Sequence, residues 1–127
     1  MVKINVLEDC GNAPKKQFLK DFIIAVVKNE NAFLARNVTK DICWNVVGGR
    51  SAQGQQEVLL ELQRFRSDKV VELNIYTIVT HGYNGVANGL LKFKGGKTVA
   101  FCDVYLFKAS TNNAPIKTID TYAIHLT

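Results

Sequence analysis

The chain has 127 residues, 47% hydrophobic and 21% charged, the balance of a soluble globular domain with enough apolar material for one core. Its longest apolar run, Phe22 to Val27, falls far short of the roughly 20 residues that span a bilayer. Three cysteines without short spacing frame neither a disulfide scaffold nor a zinc site, so no metal and no cofactor is expected. The net charge of +5 is scattered from Lys3 to Lys117 without a basic-aromatic motif, which points to a solvated surface and away from nucleic acid or membrane.

The opening MVKINVLEDC carries no secretory signal, and the expectation is a cytoplasmic protein forming a single domain over residues 1–127. Residues 11–38, GNAPKKQFLKDFIIAVVKNENAFLARNV, are helical in pattern. Asn12 stands as N-cap and Pro14 sits in the first turn, where its missing amide costs nothing. Phe18, Phe22, Ala25 and Val26, with Leu19, Ile23 and Val27 beside them, form a wide apolar face. Lys28-Asn29-Glu30 breaks the run, and a second short helix continues to about Asn37. DICWNVVGG then reads as a strand. SAQGQQEVLLELQRF reads as a third helix with Val58, Leu59, Leu62 and Phe65 on one face.

From residue 69 the period changes to two. Strands are expected over 70–81, 86–94, 97–108 and 116–126, bounded by Asn84-Gly85, Gly95-Gly96 and the loop STNNAP. Helices gathered in the N-terminal half and a mostly antiparallel sheet after them make an α+β architecture. A strongly bent sheet wrapped around such helices forms a cone with a pocket between the two layers.

Turn chemistry suggests registers. A two-residue Gly95-Gly96 hairpin pairs Lys94 with Lys97, and therefore Asn88 with Asp103. An Asn84-Gly85 turn places His81 opposite Asn88; a Gly82-Tyr83 turn would move His81 out of that row. The expected row of His81, Asn88 and Asp103 lies in an apolar wall that includes Phe101 and Tyr105, the usual make-up of a ligand pocket. The bland reading of the same trio is a buried network that satisfies itself and fixes register. The opposite face, with Ala87, Gly89, Leu91, Ala100, Cys102, Val104 and Leu106, is a candidate homodimer surface.

DICWNVVGG followed by AQG and a helix, then FCDVYLF and IKTIDTY, resembles the SnoaL-like branch of the nuclear transport factor 2-like superfamily. The DCGNAPK start and the THG turn are similar to those of small uncharacterised bacterial members. The resemblance covers essentially the whole chain. It implies a cone-shaped α+β fold with three helices, a pocket, frequent dimerisation, and either cofactor-independent acid–base chemistry (isomerase, cyclase or dehydratase-like) or no catalysis. Trp44 and Asp103 match the tryptophan and aspartate of the pattern. The arginine three residues after that aspartate is replaced by Leu106, and the HWD run of the last strand by Ile119-Asp120-Thr121.

The expectation is thus a pocket for a small apolar or aromatic ligand. If it is catalytic, Asp103 is the base or orients His81, Asn88 holds a carbonyl or water, and Trp44, Phe101 and Tyr105 shape the wall. The alternatives are a non-catalytic binding module and a dimeric interaction module.

Overall fold

The computed structural model describes residues 1–126. Strand β1 (Lys3–Val6) precedes helices α1 (Pro14–Val27) and α2 (Asn31–Arg36). Strands β2 (Val38–Val46) and β3 (Ser51–Gln53), helix α3 (Gln55–Arg66), and strands β4 (Val70–His81), β5 (Asn84–Phe93), β6 (Thr98–Phe107) and β7 (Ile116–His125) follow. The strands form one open mixed sheet in the order β1-β4-β5-β6-β7-β2-β3. Only β1 on β4 and β2 on β7 pair in parallel. Bulges in β4, between Val70 and Glu72 and between Ile75 and Thr77, and another where β6 meets β7 add local twist and bend. The expected α+β cone with three helices is the fold observed. No helix among the described residues is long and apolar enough to cross a membrane.

Helix α1 begins at Pro14 with Ala13 as the N-cap residue, so Asn12 does not take the expected capping role. It ends in a Schellman motif: Asn29 adopts φ 57°, and the amides of Asn29 and Glu30 donate to the carbonyls of Val26 and Ala25. Its Leu19, Phe22, Ile23 and Val26 are buried against the concave face of the sheet. Phe22 meets Tyr105 edge-on at 6.3 Å. Helix α3 buries Val58, Leu62 and Arg66, three residues at a spacing of four and hence on one face.

Both hairpin registers differ from expectation. The β5–β6 turn uses three residues, Lys94 to Gly96, closed by bonds from Phe93 N to Lys97 O (2.8 Å) and from Gly96 N to Phe93 O (3.1 Å). Asp103 therefore lies opposite Ala87, and Asn88 opposite Cys102. A slip of one residue sends every side chain to the other face. Ala87, Gly89 and Leu91 consequently point inward, while Val86, Asn88 and Leu90 point outward. The β4–β5 hairpin turns at Gly82-Tyr83, where Gly82 has φ 58°, and pairs His81 with Asn84. Gly85 serves packing, not the turn: a Cβ there would lie 2.7 Å from Leu19 Cδ1 on α1.

Candidate functional site

Four elements bring polar side chains into the cone. Asp103 and Tyr105 alternate inward on β6, Thr121 lies opposite Asp103 on β7, Trp44 comes from β2, and Arg66 ends α3. The Asp103 carboxylate is fully buried. Its Oδ2 accepts from Arg66 Nη1 (2.5 Å) and the Tyr105 hydroxyl (3.1 Å). Its Oδ1 accepts from Arg66 Nη2 (2.8 Å) and the Thr121 hydroxyl (2.7 Å). Thr121 Oγ1 in turn accepts from Trp44 Nε1 (2.8 Å) and Arg66 Nη2 (3.3 Å). The Arg66 guanidinium stands 4.8 Å from the Phe101 ring and 5.8 Å from the Trp44 ring, within cation–π range.

The electrostatics follow from burial and this pairing. For Arg66, burial disfavours the charged form, but the charge and hydrogen bonds of Asp103 more than offset it and raise the guanidinium above its ordinary range. Burial, reinforced by the Asp103 charge, pushes the Tyr105 phenol well above its usual value. Burial and then Asp103 also push the Cys102 thiol up, which disfavours the thiolate a nucleophile needs.

Arg66 divides the cone. On the helix side, a space of only about 10 Å³ remains among Phe22, Leu62, Asp103 and Tyr105. That is at most the room for one water. On the other side the mouth opens into a cavity of about 260 Å³, walled by Trp44, Phe65, Phe93 and Phe101, with Thr121 and Arg66 on its lining. Trp44 and Phe65 meet edge-on at 6.2 Å. Arg50, Lys97 and His125 also face this cavity. Among the described residues, no group of three or more His, Cys, Asp or Glu gathers to hold a metal ion.

The expected row does not form. His81 is exposed at the end of β4, and Asn88 pairs with Thr77 and Cys102 on the outer face. Neither reaches Asp103, because the three-residue turn and the Gly82-Tyr83 hairpin shift both registers. Of the anticipated wall residues, Trp44 and Phe101 line the open cavity, whereas Tyr105 borders the closed interior. Sequence reasoning missed Arg66 and Thr121. The signals existed: Arg66 continues the Val58–Leu62 spacing, and Thr121 follows from extending the β6–β7 alternation.

No family model matches this chain, and no curated protein matches it. Solved structures do share its fold. A nuclear transport factor 2-like protein of unknown function from Cytophaga hutchinsonii superposes with a TM-score of 0.68 at 21% identity, covering 87% of this chain and 99% of that one. A protein from Shewanella denitrificans, described as a SnoaL-like polyketide cyclase, gives 0.72 at 15% identity, with 89% and 92% covered. A protein from Kribbella flavida, described as a ketosteroid isomerase, gives 0.73 at 7% identity, with 90% and 80% covered. At these identities the likeness is one of fold, and the fold is that of nuclear transport factor 2-like proteins.

Proposed function

We propose that this protein is a binding module for a small apolar or aromatic molecule, held in the open mouth of the cone without Asp103 acting as a base. The descriptions of the Shewanella and Kribbella proteins bring acid–base catalysis to mind. Such chemistry at Asp103 would need a carboxylate oxygen within reach of a bound molecule. Here both oxygens already accept two hydrogen bonds each, and the space beside them is about 10 Å³.

The observation that carries the reading is the aromatic cavity of about 260 Å³ on the far side of Arg66. Aromatic walls with a few fixed polar groups are the common composition of ligand sites, and this volume lies just below the roughly 300–1,000 Å³ of drug-sized pockets, which suits a small molecule. Trp44 is the sole tryptophan and lines the cavity, so its fluorescence reports occupancy directly. Titration with a panel of one- and two-ring aromatic fragments should give a saturable change that Phe65→Ala weakens. Absence of any saturable change across the panel would remove the reading.

A second proposal concerns the outer sheet face, where Val86, Tyr122 and Ile124 are exposed along one apolar groove. Monomers seldom leave a contiguous patch of this kind uncovered. Two copies paired through it would sediment at twice 14.1 kDa, and Tyr122→Lys should return them to monomers. A 14.1 kDa species at micromolar concentration would refute the pairing.

A further inference from the structure

We propose that the molecule bound at the mouth is an organic anion: a flat ring laid against the wall of Trp44, Phe65 and Phe101, with its carboxylate at the rim between Arg50 and Lys97. This rests on the mouth being a ligand site, and it names the ligand's charge and orientation. The lining holds Arg50, Arg66 and Lys97 and no aspartate or glutamate. The two nearby acids are already engaged. Asp103 is buried behind Arg66. Glu61 lies within 3.5 Å of Arg50 and 3.4 Å of Arg64.

Orientation follows from how these cations are used. Asp103 cancels most of the field of Arg66 and would repel a second carboxylate brought down beside it. The floor is therefore suited to a ring. Arg66 already stands 4.8 Å from the Phe101 ring there, so a cation is in place to face further π density.

The rim is different. Arg50 is anchored 5.9 Å from the Phe65 ring, and Lys97 5.3 Å from the Phe93 ring. Lys97 has no salt-bridge partner among the described residues, and the Arg50 side chain is 68% exposed with only Glu61 beside it. The guanidinium and ammonium heads lie over these rings and both residues are exposed, so a carboxylate at the rim can reach them while they stay on the aromatic wall. Lys94, on the same β5–β6 turn as Lys97, and the net charge of +5 add a field that draws anions toward this end.

The test compares 2-naphthoate with its neutral counterpart 2-naphthamide by titration calorimetry on the intact protein. Two partly exposed cations should make the acid bind about tenfold more tightly. The difference should shrink with added salt. In Arg50→Met/Lys97→Met, which keeps the side-chain length, the preference should fall to about twofold or less while the amide binds as before. Equal binding of acid and amide to the native protein would overturn the anion assignment and leave the binding module standing. A preference that survives in the double variant would overturn the rim placement. Binding of neither probe would overturn the binding module and this inference together.

Discussion

Replacing Asp103 by asparagine tests whether the Arg66–Asp103 pair is the closed partition described above. The substitution keeps the shape and removes the charge. Arg66 is then a buried cation without a counter-ion, and its donors confront an amide NH2 in place of one carboxylate oxygen. The pair is bidentate at 2.5 and 2.8 Å, with side chains 10% and 0% exposed, so solvent cannot make up the loss. Breaking one side of such a buried pair costs about 3–5 kcal/mol. With an unfolding entropy of about 0.27 kcal/mol/K for a chain of this length, the melting temperature should drop by about 11–19 °C. Arg66→Met in the same background removes the stranded cation and should recover at least half of the loss, because deleting both partners of a buried pair is far cheaper than deleting one. Paired thermal and urea unfolding of the two single variants and the double one gives the coupling energy. A loss below about 1 kcal/mol for Asp103→Asn, in the range of exposed pairs, would refute the reasoning. Asp103 would then be hydrated, with oxygens available for chemistry.

Three further outcomes follow from the geometry. The raised Tyr105 value means that the stability linked to it is fully present below the unfolded value of about 10 and is lost as pH rises through the folded one. Melting temperatures measured on the alkaline side should decline, and Tyr105→Phe should flatten the decline. Glu8 Oε1 accepts the amide of Ile78 next to the β4 bulge at 2.9 Å, so Glu8→Ala should speed hydrogen exchange at Ile78 and along β1 more than at β6. Equal acceleration throughout would contradict a local role. A Cβ on Gly89 would stand 1.9 Å from the Asn74 carbonyl oxygen, a backbone atom, whereas one on Gly85 would meet a terminal side-chain methyl of Leu19 at 2.7 Å. Gly89→Ala should therefore cost about 3 kcal/mol in chemical denaturation and Gly85→Ala distinctly less.

Much of this fold could be read from residue patterns, and the parts that could not share a cause. Helix α1 was legible because Pro14, the apolar face and the Lys28-Asn29-Glu30 break agree with one another. The four long strands fell within two residues of their expected ends. Strands β1 and β3, four and three residues long, were missed because so few residues carry no period of their own. They are strands because β4 and β2 offer them an edge. The site failed on a finer scale. Gly95-Gly96 fits both a two-residue and a three-residue turn, and this single ambiguity decides which side of the sheet Asn88 occupies. Asn84-Gly85 is a strong turn signal, yet Gly85 is needed where α1 crosses β5. Arg66 was hidden by its charge: a residue on an apolar helical stripe is passed over when it is an arginine, although its partner Asp103 had already been marked as out of place.

The sheet order sets a schedule for the growing chain. Strands β4 to β7 are consecutive and antiparallel, so they can assemble by local hairpins, which is kinetically favourable. Three of the earlier elements depend on them: β1 needs β4, β2 needs β7, and α1 packs against β4. During synthesis Leu19, Phe22, Ile23 and Val26 of α1 therefore emerge well before the surface that covers them. The 59 residues from Ser67 to His125 must follow the end of α3 before β7 is complete. At about 5–20 residues per second this takes roughly 3–12 s. Until β4 and β5 emerge within that interval, α1 lacks the strands it packs against, and until β7 follows the sheet stays incomplete. A stall after α3 and before β7 therefore leaves the apolar face of α1 short of its full cover, whereas a stall before α1 exposes no such face.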